Sequence, residues 1–223
     1  LAFLHLAVSE AAPGPMEPLP SEVPGSTAVD PTAAGVAAVR GAHTWFAVHR
    51  AATHPRDARY DVGLLMAQML VGDTWRQVVG QRPNTDKGTR LPTSGPVLLR
   101  GGRALLPAGR LTARAGSIVL SGAWSGGGDR VSATWRYTAT RRGVTLRTPC
   151  PAGARLRMIE WAPEARPHAR GLVLPGRVLD FSAPVRARRL AGRFASASDE
   201  RLIGMRLETR CRGRAVTIAW RHA

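Results

Sequence analysis

Residues 131–138 read VSATWRYT. Val131, Ala133, Trp135 and Tyr137 fall on one side of an extended chain, and Ser132, Thr134, Arg136 and Thr138 on the other. Side chains alternate faces along a strand, so this pattern describes a strand with one face in a core and the other against water. A helix would spread the same four apolar residues around its circumference.

The pattern recurs along the chain. Val216, Ile218 and Trp220 alternate near its end, and Leu202 begins a similar run. GVAAVR, HTWFAVHR, DVGLLMAQML, TWRQVV, GPVLLR, SIVLSGAW, GVTLRT, ARLRMIEWA, GLVLPGRVLDF, ERLIGMRLETR and RAVTIAWR are all of strand length, separated by glycine, proline or charged clusters. DVGLLMAQML carries helix-favouring Leu and Met, but Gly63 and the neighbouring strands favour a strand. Arg-Gly-Ala at 40–42, Arg-Gly-Gly at 100–102, Arg-Arg-Gly at 141–143 and Cys-Arg-Gly at 211–213 each put glycine where a short hairpin connection calls for positive φ. SGGGDR at 125–130 reads as a further hairpin tip, with no helix after it to make a phosphate cradle. Together these features predict an all-β fold, a large antiparallel β-sandwich over residues 35–223.

Residues 11–34 contain six prolines and two glycines and read as a Pro-rich linker. In residues 1–10, LAFLHLAVSE, the apolar Leu1, Leu4 and Val8 fall at helical spacing. They read as the end of a preceding helical domain, or as the stump of a signal-peptide core with no basic segment before it. No apolar run reaches the roughly 20 residues that a membrane-spanning helix needs.

The 223 residues carry 32 basic and 15 acidic side chains, a net charge of +17, and Lys87 is the only lysine. A GC-rich genome produces arginine in excess without selection for function, yet a charge this positive attracts polyanions whatever its origin. Acidic polysaccharide, nucleic acid and anionic surfaces are all admitted as partners. No P-loop, dinucleotide-binding fingerprint, zincin helix, nucleophile elbow or EF-hand loop is present, which removes the usual signatures of those chemistries. No RNP-like interleaving of aromatic and basic residues supports specific RNA reading.

Cys150 and Cys211 are the only cysteines, with no C-x-x-C spacing. They read as one disulfide in an exported protein or as two buried thiols. His43, His49 and His54, with Asp57 and Asp61, have the chemistry of zinc ligands, but His43 and His49 lie roughly 20 Å apart along an extended strand. No metal and no cofactor is expected. Six tryptophans sit in strand-like runs and belong mostly to a core, with one or two free to form a platform for sugar rings.

Residues 49–65, HRAATHPRDARYDVGLL, concentrate the polar chemistry. Thr53-His54-Pro55-Arg56-Asp57 reads as a turn. Arg59, Tyr60 and Asp61 then enter the next strand. Positive charge beside Tyr60 favours its phenolate, which suits a base that removes a proton next to a carboxylate. The same residues also make an adequate turn, with Arg59 paired to Asp57 or Asp61.

The order of a helical tail, a Pro-rich linker, AGVAAVRGAHTWFAVHR, RYDVGLLMAQMLVGDTWRQVV and GPVLLRGGRALLPAG resembles the junction in heparinase II/III-like polysaccharide lyases. There an α/α toroid precedes large antiparallel sheets. The resemblance implies cleavage of a uronate-containing polysaccharide by β-elimination, with a tyrosine or histidine as base, in a secreted or periplasmic protein. In that family the toroid supplies most of the catalytic residues; if residues 49–65 lie at the cleft, Tyr60 is the candidate catalytic base in this chain, with His54 and Arg59 contacting substrate. The family's zinc segment would fall near residues 54–64, where this chain has Arg59-Tyr60-Asp61 and no histidine two before the aspartate. The expected function is therefore the C-terminal β-sandwich part of a lyase-like protein acting on or binding an acidic glycan. The other class is a non-catalytic basic module that binds glycan or, nonspecifically, nucleic acid.

Overall fold

The structure, a computed structural model, describes residues 23–25, 27–29, 35–50, 62–80, 82–83, 92–196 and 200–223. The expected helix at 1–10 lies outside the described residues, as do His54, Asp57, Arg59, Tyr60 and Asp61. Among the described residues all regular structure is β, arranged in two antiparallel sheets.

The smaller sheet runs in chain order: β1 (Thr27–Val29), β2 (Val36–Arg40), β3 (Thr44–His49), β4 (Gly63–Val71) and β5 (Thr74–Gln77). DVGLLMAQML is a strand, as its glycine and neighbours suggest. β1 lies inside the stretch read as linker and pairs with Ala37–Val39, so β-structure reaches back to Thr27. It is an edge strand, the position a proline-rich neighbourhood still permits.

The larger sheet has thirteen strands. They are β6 (Val97–Arg100), β7 (Arg103–Arg114), β8 (Ser117–Gly126), β9 (Asp129–Thr140), β10 (Gly143–Thr148), β11 (Arg155–Ala162), β12 (Arg166–His168), β13 (Gly171–Leu174), β14 (Arg177–Phe181), β15 (Arg186–Arg189), β16 (Phe194–Ala195), β17 (Arg201–Arg210) and β18 (Val216–His222). Their order is β12-β13-β14-β18-β10-β9-β8-β7-β6-β11-β17-β15, with β16 also on β17. The run GLVLPGRVLDF is two strands, not one: Gly176, at φ 64°, turns it back between β13 and β14. Gly127 and Gly128, both at positive φ, form the β8–β9 tip, whereas Gly41 turns the β2–β3 connection without positive φ. Gly41 instead donates its N–H to the Thr44 carbonyl at 2.7 Å.

Alternation decides which face is buried. On β9, Ala133, Trp135 and Tyr137 are buried, and in register with them across β8 lie Gly122, Leu120 and Ile118. Trp124 and Trp135 meet edge to face at 4.8 Å. The same layer continues through Leu146, Ile218 and Leu179 on β10, β18 and β14. The small sheet lays β1 and β2 over β7, and β3 over β9. Phe46, Val48 and Leu64 thereby join the same core. Gly109 and Gly122 face each other in the β7–β8 ladder, where an added Cβ on either would collide with backbone of the opposite strand. Only glycine permits that close approach of the two backbones.

The large sheet curls until its flanks approach. Glu160 of β11 and Arg177 of β14 form a buried ion pair, although no ladder joins these strands. Cys150, just after β10, and Cys211, just after β17, form a disulfide, which settles the two readings of these residues in favour of the bond.

Candidate functional site: an arginine cleft on the outer sheet face

On the outward face of β11, β17 and β15, period-two alternation exposes a set of arginines. Arg155 and Arg157 alternate on β11 with the buried Leu156 and Met158. Arg206 and Glu208 alternate on β17 with the buried Met205, Leu207 and Thr209. Arg186 and Arg188 occupy the edge strand β15. Ladder register sorts them into rows: Arg155 opposite Arg210, then Arg157–Glu208–Arg186, then Ile159–Arg206–Arg188.

Arg155, Arg157, Arg186, Arg188, Arg206 and Glu208 line a cleft of about 580 Å³. Gly101 and Gly102 of the β6–β7 turn and Gly153 complete its rim. Beyond the Arg206 row the same face turns apolar, where Ile159, Trp161 and Leu202 cluster with Leu190 and Phe194 packed on them. Charge thus ends where the ladder reaches Trp161 and Gly204.

The cleft's electrostatics are unbalanced. Arg155 Nη1 lies 3.6 Å from Glu208 Oε2, the only carboxylate among the lining residues. Partial burial holds the Arg157 guanidinium below the ordinary arginine range; Glu208 opposes this and Arg206 adds to it. The Nε atoms of Arg157 and Arg206 are shut off from solvent and have no hydrogen-bond acceptor among the described residues. Five guanidinium groups against one carboxylate in the same cleft favour the arrival of an oxyanion. A guanidinium fork matches the paired oxygens of a carboxylate, sulfate or phosphate.

Sequence reading missed this site. The signal was present as R-L-R-M at 155–158 and R-A-R at 186–188, arginines at strand period, but it dissolved in a composition already rich in arginine. Of the residues singled out from sequence, His43 is exposed in the turn before β3 and His49 is buried at its end. No group of three His, Cys, Asp or Glu side chains suited to a metal occurs among the described residues. Trp124, Trp135, Trp161 and Trp220 are core, as most tryptophans were expected to be. Trp45 is half-buried, and Trp75 is exposed with the Arg40 guanidinium 4.3 Å from its ring centroid. No helix among the described residues is long and apolar enough to cross a membrane.

Fold and cleft together define an antiparallel β-domain with a cationic, arginine-lined groove. The chain matches no family model, and no curated protein matches it.

Proposed function

We propose that this chain is the β-sandwich part of a polysaccharide lyase-like protein and that it binds an acidic, uronate-containing glycan in the arginine cleft. The observation that carries the reading is five guanidinium groups facing one carboxylate in a groove of small-ligand size. An open groove suits a polymer, which must enter and leave along its length. In this reading β-elimination belongs to the whole protein, with Tyr60 as base, His54 and Arg59 at the substrate, and a preceding helical domain supplying the rest. The Cys150–Cys211 disulfide supports a secreted or periplasmic location, since reducing compartments keep thiols free.

The second reading is a non-catalytic module that holds glycan or, nonspecifically, nucleic acid, and the net charge of +17 favours it. One experiment addresses both: retention of the chain on immobilised heparin and alginate, with elution by salt and competition by duplex DNA. Arg157→Ala and Arg206→Ala should each weaken glycan binding by about tenfold, the loss of one charge-assisted contact. Retention unchanged in both variants would overturn the glycan reading of the cleft. Displacement by DNA at lower charge concentration than by glycan would favour the nucleic-acid reading.

A further inference from the structure

The large sheet does not close on itself, and its β15 edge is bare. Among the described residues β15 ends the strand order and pairs with β17 on one side only. Leu190 donates its N–H to the Gly204 carbonyl, so by period two the backbone groups of Arg188 and Arg186 also face β17, and those of Ala187 and Arg189 face away from it. Val185 shares their parity, and its N–H crosses to the Ala169 carbonyl of the opposite flank at 3.0 Å. Past that bond the edge is open. The N–H and C=O of Ala187 and Arg189 have no hydrogen-bond partner among the described residues.

A bare edge recruits another strand unless charge keeps it off. β15 carries such charge in Arg186, Arg188 and Arg189, so a second copy of this edge would set guanidinium against guanidinium. The cross-strand rows favour a different neighbour. One row reads Arg157, Glu208, Arg186 and the next ends in Arg206, Arg188, so in both the next position outward adjoins an arginine and suits a carboxylate.

We propose that the β15 edge takes up an extended acidic segment of a partner protein as an added antiparallel strand, with Asp or Glu beside Arg186 and Arg188 and an apolar residue between them. Ala187 lies between the two arginines and packs on the core side, so the residue beside it meets apolar surface. Because Ala187 and Arg189 supply the backbone bonds, both cleft arginines fall in non-hydrogen-bonded pairs, where side chains approach closest. Main-chain bonds then give the affinity and alternate side chains the specificity. This inference goes beyond the glycan reading and does not need it, since a polysaccharide has no N–H and C=O ladder to offer the edge.

The test titrates the full chain with the blocked peptide Val-Glu-Val-Glu-Val and follows amide hydrogen exchange at Ala187 and Arg189. Binding should slow exchange of both amides by about tenfold or more. Two altered peptides isolate the two contributions: one with Gln for each Glu, which removes the charge, and one N-methylated at the central valine, which keeps the charge and removes an N–H donor to the edge. Each should bind about tenfold more weakly. Ala187→Pro deletes an edge N–H that no described residue uses and keeps every arginine, so it should weaken the parent peptide to a similar degree. The methylated peptide tests the same ladder without altering the chain. Unchanged affinity on N-methylation would overturn the proposal, because charge alone would then hold the peptide. So would absence of binding by the parent peptide, or binding that leaves exchange at Ala187 and Arg189 as it was.

Discussion

Glu160 and Arg177 meet at 2.6 Å inside the curled sheet, on strands that share no ladder hydrogen bonds. The carboxylate is further held by the Gly80 N–H at 2.8 Å and the Trp220 indole N–H at 3.3 Å. Arg177 also donates to the Trp161 carbonyl at 3.0 Å. These bonds bring together β11, β14, β18 and the segment after β5, so the pair fastens one flank of the large sheet to the other. Arg177→Met leaves a carboxylate buried without its counter-ion and should cost about 3–5 kcal/mol, whereas also replacing Glu160 with Gln should recover part of the loss. Urea denaturation midpoints check both, and a single variant within about 1 kcal/mol of wild type would deny the pair this role.

Cys150 and Cys211 close a loop spanning 61 residues of sequence that contains all of β11 to β17. Cross-linking a loop of that length removes unfolded-state freedom worth about 4 kcal/mol in the chain-entropy treatment. The Cys150→Ser/Cys211→Ser double variant should therefore lose about 2–4 kcal/mol, and adding reductant to the wild type should lower its melting temperature. The bond also sits at the end of the β11–β17 ladder that carries the cleft, where Cys211 N–H donates to the Ala154 carbonyl at 2.9 Å. A melting temperature insensitive to reductant would place the stabilisation elsewhere.

Tyr137 is fully buried, and its hydroxyl has no partner among the described residues. Burial pushes its pKa well above the ordinary tyrosine value, with Arg82 opposing. The folded state then holds the phenolic proton more tightly than the unfolded state. Its contribution to stability is complete below about pH 10 and is lost as pH rises beyond that. Tyr137→Phe should remove this alkaline sensitivity and, by deleting an unpaired buried hydroxyl, raise stability by about 1 kcal/mol at neutral pH. The chain has only two tyrosines, so an ultraviolet phenolate step delayed until unfolding would report Tyr137. Ionisation of both in the folded protein near pH 10 would contradict the burial argument.

The strands were legible because their alternation is local. Trp135 and Tyr137 announce the buried face of β9 within eight residues, and Gly127-Gly128 announces its hairpin. The β13–β14 turn was missed although Pro175-Gly176 is a turn signal, because the apolar residues on both sides of it read as one run of strand length. Which distant strands pair is another matter: β10 meets β18, and β11 meets β6, across long separations that no local pattern encodes. The cleft depends on those pairings, since Arg157, Arg206 and Arg188 come from three strands and meet only when the ladder is assembled. The disulfide was undecided for the same reason, because spacing alone does not say whether two cysteines come into reach.

Tyr60 offers a test that needs no geometry. In a protein that joins this chain to a catalytic helical domain, Tyr60→Phe should lower the lyase rate by about 10²- to 10⁴-fold if the hydroxyl is the general base. Thermal stability should stay nearly unchanged, because the ring remains. The chain alone should give no rise in unsaturated-uronate absorbance with heparin, alginate or hyaluronan. A wild-type rate in the variant would leave Tyr60 as part of a turn.

The last prediction separates field from fork in the arginine cleft. If the cleft attracts polyanions only through net charge, Arg206→Lys should bind as wild type does, since the charge is kept. If the guanidinium fork engages paired oxygens, the lysine variant loses one of two parallel hydrogen bonds and should bind about tenfold more weakly. The salt dependence tells the same two cases apart. Releasing one fewer counterion should reduce the slope of log affinity against log salt by about one in Arg206→Ala, and should leave it unchanged in Arg206→Lys. Arg206 is the residue of choice because it lines the cleft and its row lies next to the apolar cluster, where a ligand anion is best shielded from water. An Arg206→Lys variant that matches wild type in affinity as well as in slope would reduce the cleft to a nonspecific cationic surface.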